Sequence, residues 1–261
     1  MPADFELTFL GTGTSVGVPV IGCSCRVCKS DDPRNKRTRS SIHVRCGKVS
    51  LLVDSGPDLR EQALREEFTE LDAVLYTHSH VDHVVGFDEL RAFCWRREEP
   101  LPIHATNECM GVLRTMFGWA FSQENVYRGY IKPDPQLIDG PFSIGKLRIT
   151  PLPVEHAKAV TVGFLFECPG AQSVAYIPDA KRVPPGTMEL LKRADVLILD
   201  ALRPEPHPTH LSTEEALGII AESGVSRAWL THLGHDNEHH ELDATLPEGV
   251  GVAWDGLKIR G

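Results

Sequence analysis

Three histidines and one aspartate within six residues restrict most strongly what this chain can fold into. The run THSHVDH, residues 77–83, comes directly after the apolar stretch AVLY, which is typical of a buried strand. At the end of a strand His78 and His80 point to the same side, and Asp82 and His83 follow as the chain turns into a helix. Packing alone does not require such a cluster. The run therefore predicts a metal site with ligands for two ions.

Length and charge place the chain among globular proteins with a substantial core. It has 261 residues, of which 41% are hydrophobic and 24% charged, and we expect one domain over residues 1–261. The amino terminus has no export signal, and no apolar run is long enough to span a membrane, so the expected location is the cytoplasm. A net charge of −9 opposes binding to nucleic acid or anionic lipid, but it allows a small anionic substrate.

Short β-rich runs alternate with helical stretches along the whole chain, which favours an α/β fold of two mixed sheets with helices outside. The last predicted helix starts with a capping box at Ser212 and Glu215 and stops at Gly224. The predicted strands are 5–10, 41–46, 49–53, 73–77, 147–154, 161–167, 173–177 and 196–199, and the predicted helices are 58–68, 87–95, 186–194 and 212–223.

The segment GCSCRVC, residues 22–28, presents three thiols within six positions. A closed zinc site needs four ligands, and thiolates are soft ligands that suit one. The alternative is that Cys23, Cys25 and Cys28 are simply buried, reduced thiols. Because the chain has an odd number of cysteines and no export signal, a disulfide framework is not expected. The other four cysteines are interpreted as packing residues: Cys46, Cys94, Cys109 and Cys168.

The run THSHVDH resembles the HxHxDH signature of the metallo-β-lactamase superfamily. Later histidines and aspartates follow in the order of that family: PLPVEHAK contains His156, VAYIPDA contains Asp179, and AWLTHLGHD contains His232. The resemblance implies a four-layer sandwich, and it implies that the early aspartate in LLVDSG, Asp54, supports the metal loop. It also implies a ligand set for two divalent ions, zinc or manganese: His78, His80 and His156 for one, Asp82, His83 and His232 for the other, and Asp179 between them.

Within the superfamily, nearly the whole chain resembles the cyclic-phosphate phosphodiesterases of the bacterial carbon–phosphorus lyase pathway. The shared features are a GTG turn, VPVIGCSCRVC, LPVEHAKAVTVGFLFE and THLGH. The resemblance implies that His235 is the fourth ligand of a structural zinc held by the cysteine knuckle. It also implies hydrolysis of a small phosphorylated substrate, a cyclic or linear phosphodiester, by a metal-bridging hydroxide, with Asp82 and Asp179 in the catalytic centre and His210 as general acid. His207 is the nearby alternative acid, and His210 could instead only cap the loop before the helix.

Other functions stay open at this stage. A transfer-RNA 3′-processing endonuclease shares the metal motif, but no long Gly/Pro-rich arm separates Asp179 from His232. A thioester, lactone or β-lactam hydrolase could use the same scaffold, and a non-catalytic zinc-dependent binding module is the non-enzyme alternative. The basic run 34–39 could face a phosphate or form a solvated loop. A homodimer is expected only on general grounds.

Overall fold

A computed structural model describes residues 5–95, 97–127 and 129–261, and over these residues the strands form two seven-stranded sheets. In chain order the strands are β1 (Phe5–Gly11), β2 (Ser41–Cys46), β3 (Val49–Val53), β4 (Ala73–Leu75), β5 (Leu101–Ala105), β6 (Pro133–Leu137), β7 (Phe142–Ile144), β8 (Leu147–His156), β9 (Ala159–Glu167), β10 (Val174–Ile177), β11 (Val196–Asp200), β12 (Arg227–Thr231), β13 (Val250–Val252) and β14 (Lys258–Arg260). The helices are α1 (Leu59–Arg65), α2 (Val81–Val84), α3 (Arg91–Cys94), α4 (Asn107–Met116), α5 (Gly118–Phe121), α6 (Pro185–Leu191), α7 (Thr213–Ser223) and α8 (His239–Asp243), with 3-10 turns at Pro33–Asn35 and Val85–Leu90.

Each sheet combines antiparallel and parallel strands. The first has the order β14-β1-β2-β3-β4-β5-β6 and is parallel from β3 to β6. The second has the order β13-β12-β11-β10-β9-β8-β7 and is parallel from β10 to β13. The carboxyl ends of neighbouring parallel strands meet at one edge of a sheet. Each sheet therefore offers one edge at which several strands end together.

Three apolar layers hold the sandwich together. One lies between the sheets, with Phe9 and Val53 from the first sheet and Phe164 and Ile198 from the second. The others lie between each sheet and its helices. Strand β11, with the sequence VLILD, is buried at every position because it is covered on both faces, as is usual in parallel sheets. The predicted class, two mixed sheets flanked by helices, is confirmed.

The predictions of individual elements were best where the local signal was strong. The strands at 41–46 and 49–53 are confirmed at both ends. Helix α7 has the predicted capping box, and Gly224 ends it with a φ of 73°. Strands β5 and β6 were not predicted, because the sequences LPIHA and PDPQL contain prolines that weaken a strand signal. Among the described residues, no helix is long and apolar enough to cross a membrane.

The interpretation of two cysteines was wrong. Cys46, at the end of β2, forms a disulfide with Cys168, which follows β9. The two residues are 122 positions apart, and both are buried in the layer between the sheets. The bond joins one sheet to the other, so it depends on the tertiary packing of the two sheets. No local spacing of cysteines could have revealed it. Cys109 is buried and free, as expected, and Cys94 is half-buried and free.

Candidate metal centre

The predicted ligands meet where the two sheets present their strand ends. The run that contains His78 and His80 leaves β4 in the first sheet. From the second sheet, His156 is the last residue of β8, while Asp179 follows β10 and His232 follows β12. All of these side chains except that of His80 are nearly or fully buried. With Asp54 included, the fold therefore brings together residues from five separate parts of the chain.

The first group of ligand atoms consists of three histidines. His78 Nε2 lies 2.9 Å from His80 Nδ1, and His156 Nε2 lies 3.2 Å from the same His80 atom. A hydrogen bond fixes the orientation of the His156 ring, because its Nδ1 donates to the carbonyl oxygen of Thr209 at 2.8 Å. That bond leaves Nε2 of His156 without a proton and turned toward the other two rings, as a metal ligand requires.

The second group lies beside the first and shares a carboxylate with it. His83 Nε2 is 3.2 Å from Asp82 Oδ2 and 3.2 Å from Asp179 Oδ2. The other oxygen of Asp179 lies 3.3 Å from His232 Nε2 and 3.7 Å from His156 Nε2. The two oxygens of Asp179 thus reach both groups.

The chemistry of these atoms fits divalent metal ions. His83 Nε2, Asp179 Oδ2 and His232 Nε2 are buried, and they make no hydrogen bond with any described residue. Unsatisfied polar atoms of this kind are costly unless another group completes them. A tetrahedral ion with nitrogen or oxygen ligands at about 2.0–2.1 Å separates neighbouring ligand atoms by about 3.3 Å. His83 Nε2 lies 3.2 Å from Asp82 Oδ2 and from Asp179 Oδ2, and His232 Nε2 lies 3.3 Å from Asp179 Oδ1. These separations are close to that value, and none of the three contacts has the geometry of a hydrogen bond.

Asp54 supports the metal loop from the end of β3, as predicted. Its carboxylate accepts hydrogen bonds from the backbone N–H and hydroxyl of Thr77, at 2.9 and 2.8 Å, and from His83 Nδ1 at 2.8 Å. The bond to Nδ1 leaves Nε2 of His83 as the ligand atom. Asp54 and His232 both have left-handed backbone conformations, with φ of 64° and 57°. Such strain in non-glycine residues is typical of functional sites.

His210 lies over both groups of ligands. Its ring centroid is 4.6 Å from that of His156 and 4.6 Å from that of His232. Nδ1 of His210 is 2.8 Å from Oδ2 of Asp200, a fully buried carboxylate at the end of β11. Burial opposes the charge on His210, but the hydrogen bond and the charge of Asp200 outweigh it and raise the pKa of His210 above its ordinary value. The pair can therefore hold a proton next to the ligand groups.

Asp200 and Thr209 are two site residues that sequence reasoning missed. Asp200 was hidden because a single aspartate after a strand is not a motif, although Asp54 and Asp179 occupy the same kind of position. Three acidic residues, each at the end of a buried strand or within two residues of it, formed a signal that could have revealed Asp200. Thr209 orients His156 through its backbone carbonyl group. No side-chain pattern in the sequence could have indicated that role.

A second cluster of ligand atoms lies in the cysteine knuckle. Nδ1 of His235 is 3.2 Å from the sulfur of Cys23, 3.6 Å from that of Cys25 and 3.5 Å from that of Cys28. A tetrahedral zinc with sulfur at about 2.3 Å and nitrogen at about 2.0 Å would separate these atoms by about 3.5 Å. The Cys28 backbone N–H lowers the pKa of the Cys25 thiol to about 6, which favours the thiolate. The four residues fit a closed zinc site.

The knuckle is connected to the loop that carries His232. Residue His235 lies three positions beyond His232. The backbone N–H of Thr14 donates to the carbonyl oxygen of Leu233 at 3.3 Å, and Leu233 donates to Thr12 at 2.8 Å. The knuckle and the bonds of Leu233 therefore both restrain the backbone that follows His232.

Side chains of the basic run 34–39 mostly contact the protein itself. Arg37 is buried, and its guanidinium group donates to Thr12 Oγ1 at 2.9 Å. Arg34 forms an ion pair with Asp32 at 3.0 Å, and Arg39 lies 3.1 Å from Asp58. Arg37 is thus part of the core. The run does not form the row of free cations that a phosphate-facing patch would require.

Comparison with known proteins gives a consistent family. A family model described as the β-lactamase superfamily domain matches residues 50–233. The chain is 36% identical over 260 residues to an octanoyltransferase of Porphyromonas gingivalis, an alignment that covers 95% of this chain but only 50% of that protein. It is also 30% identical over 305 residues to the coenzyme PQQ synthesis protein B of Methylorubrum extorquens, covering 97% and 99% of the two chains.

Solved structures agree with this family. A diphosphatase from the PhnP family has a TM-score of 0.91 and 36% identity, covering 98% of this chain and 97% of that one. Zinc-bound PqqB from Methylobacterium extorquens has a TM-score of 0.78 and 25% identity, covering 97% and 99%. The human short form of tRNase Z has a TM-score of 0.67 at 18% identity, covering 97% and 98%, and shows a likeness of fold alone.

Proposed function

Because the chain belongs to the metallo-β-lactamase superfamily and is a metal-dependent hydrolase, we propose that it hydrolyses a small phosphodiester, with His210 as the proton donor. The observation that carries the proposal is the position of His210, which is held by Asp200, packs edge-on against His156 and stacks on His232, one histidine from each ligand group. Likeness to a diphosphatase of the PhnP family supports phosphoryl chemistry.

The proposed metal centre uses the ligand groups described above. We propose that His78, His80 and His156 hold one divalent ion, that Asp82, His83 and His232 hold the other, and that Asp179 bridges them. Zinc and manganese both suit these ligands. A third ion, a structural zinc, is proposed in the knuckle. Ions bound at the paired site would supply Lewis acidity that activates water and offsets the charge of a phosphoryl group.

The residues around this centre would perform the remaining steps. The Nδ1–H of His210 donates to the Asp200 carboxylate, which stabilises the imidazolium form and directs Nε2 away from Asp200. Nε2 can then deliver its proton to the departing oxygen, which an alkoxide needs at neutral pH. Asp54 and Thr209 keep His83 and His156 in single orientations. The ligand geometry is therefore set before substrate binds.

The test compares leaving groups in wild-type protein and in His210→Ala. Removal of the acid should slow hydrolysis of an alkyl phosphodiester by about 10²- to 10⁴-fold, and a nitrophenyl diester far less, since nitrophenolate leaves without a proton. Elemental analysis should give equal metal content for the two proteins. Equal slowing of both esters would remove the general-acid role. A matched phosphomonoester tests whether the enzyme is selective for diesters.

A second candidate is hydrolysis of an acyl thioester. It is favoured by the octanoyltransferase relative, but the chain spans only half the length of that protein, so the transferase activity can belong to its other half. An octanoyl thioester therefore belongs in the same assay panel. Turnover of the thioester alone would replace the phosphodiester proposal. The endonuclease alternative is not favoured, because residues 180–231 contain only α6, β11, α7, β12 and short connections.

A further inference from the structure

Thr209 fixes a second histidine at the rim of the site. Its backbone N–H lies 3.3 Å from Nδ1 of His207 and donates to it, and its hydroxyl lies 3.2 Å from the same atom. A backbone N–H can only donate, so Nδ1 of His207 must be the acceptor and cannot carry a proton. The ring of His207 is therefore the neutral tautomer that carries its proton on Nε2.

His207 lies next to the proposed acid. Its ring centroid is 5.3 Å from that of His210, and the side chain is half-buried. Burial lowers the pKa of His207, and the charges of His210, Arg203 and Lys181 lower it further. Nε2 of His207 makes no hydrogen bond with any described residue. At this position the structure thus presents a fixed N–H donor that has no partner among the described residues.

The loop that carries His207 is held in place. Arg203 donates from Nε to the carbonyl oxygen of Glu205 at 3.4 Å and from Nη2 to that of Pro206 at 3.2 Å. The backbone of Arg203 also pairs with that of Thr213, whose N–H donates to the Arg203 carbonyl at 3.1 Å. Three prolines, at 204, 206 and 208, restrict the backbone between these points. A donor on such a loop loses little conformational entropy when it binds a ligand.

We propose that His207 is a substrate-binding residue that donates its Nε2–H to an anionic oxygen of the substrate, beside the oxygen protonated by His210. The proposal rests on the proposed function, because it requires a substrate that carries an anionic phosphoryl oxygen. The two histidines then have different tasks. His210 transfers a proton, whereas neutral His207 keeps its proton and holds the phosphoryl group in place. A ligand with a free phosphoryl oxygen is the chemical class that this donor fits.

Two substitutions at position 207 distinguish the effect of the Nε2–H donor from the effect of the rest of the side chain. In His207→Asn, the amide oxygen can still accept from Thr209, but no donor reaches the position of Nε2. In His207→Gln, the longer side chain can place an amide N–H there. Inorganic phosphate binding to the manganese-loaded 261-residue chain is measured by calorimetry, together with KM and kcat for the diester.

A hydrogen bond to a charged oxygen implies that His207→Asn weakens phosphate binding by about 10- to 100-fold. We expect KM for the diester to rise by a similar factor, and His207→Gln to restore most of the affinity. The preference of the enzyme for good over poor leaving groups should stay as in wild type, in contrast to His210→Ala. Equal phosphate affinities of wild type and His207→Asn would overturn the inference, as would equal losses in both variants.

Nitrogen-15 NMR gives a readout that does not depend on turnover. The proposal requires the ring of His207 to carry its proton on Nε2 near neutral pH, and a proton on Nδ1 would contradict it. Failure of the proposed function remains distinguishable from failure of this inference. If no diester is hydrolysed but phosphate binding still depends on the donor at 207, the role of His207 is supported and the proposed function is wrong. If diesters are hydrolysed and the donor has no effect, the proposed function is supported and the role of His207 is wrong.

Discussion

Removing the disulfide between the sheets should destabilise the protein strongly. Cys46 and Cys168 are 122 residues apart, so their bond closes a very long loop in the unfolded chain. In the chain-entropy treatment a loop of this length stabilises the folded state by about 5 kcal/mol at 25 °C. This is a large share of the roughly 5–15 kcal/mol that separates folded from unfolded domains. The double variant Cys46→Ala/Cys168→Ala should therefore unfold much more easily than wild type.

Urea unfolding measures the difference, with reduced wild-type protein as the control. For a slope of about 3 kcal/mol per molar urea, the loss corresponds to a midpoint lower by about 1.5 to 2 M. Reduction with a phosphine should lower the midpoint of wild type and leave that of the variant unchanged. Any remaining difference between reduced wild type and the variant then reports the packing of the two sulfur atoms.

Thiol counting gives an independent check. The chain has seven cysteines, and five of them are free in the structure, so denatured, chelator-treated wild type should show five reactive thiols without reductant and seven with it. Seven thiols in both conditions would show that the bond is absent from the protein. Equal urea midpoints in oxidised and reduced wild type would refute the entropic argument even with the bond present.

Three further predictions concern the sites and the core. Cys25→Ser should lose one zinc per chain and melt at a lower temperature, because binding at a closed site contributes to folding; elemental analysis and calorimetry check this. Asp200→Asn should slow hydrolysis of poor leaving groups by about 10- to 100-fold with unchanged metal content, since it removes the carboxylate that holds His210; steady-state kinetics check this. Burial lowers the pKa of His43 to about 4, so as the pH falls the unfolded chain binds a proton at His43 before the folded chain does. The contribution of His43 to the free energy of unfolding should be complete above about pH 6.5 and should fall by about 3 kcal/mol as the pH decreases toward 4. The free energy of unfolding of His43→Gln, measured against pH, should therefore change less than that of wild type. Parallel curves for the two proteins would contradict the prediction.

Local chemistry made the candidate metal centre predictable from the sequence. Three histidines and an aspartate after a strand have no packing explanation, and the family resemblance supplied the order of His156, Asp179 and His232. The fold brings these residues together, although their roles as ligands stay a prediction until metal is measured. The extent of the domain, the cytoplasmic location and a homodimer also remain predictions.

Features that depend on tertiary packing were not predictable. The Cys46–Cys168 pair forms only because the end of β2 faces the end of β9 across the core. Asp200 gains its importance from His210, ten residues away, through a contact that the helical and strand patterns do not encode. Composition predicted that the basic run faces a phosphate or solvent, yet Arg37 lies in the core, where Thr12 Oγ1 accepts a hydrogen bond from its guanidinium group.

The placement of ligands along the chain has a consequence for synthesis on the ribosome. The knuckle joins Cys23 to His235, which are 212 residues apart, and the proposed paired site joins His78 to His232. Neither site can be completed by a nascent chain until the residues near 235 have left the exit tunnel. Contacts between such distant residues also form slowly. The thiols and imidazoles made earlier must therefore wait until the segment near residue 235 has been made, and metal capture at the two proposed sites would follow as nearly simultaneous steps in maturation.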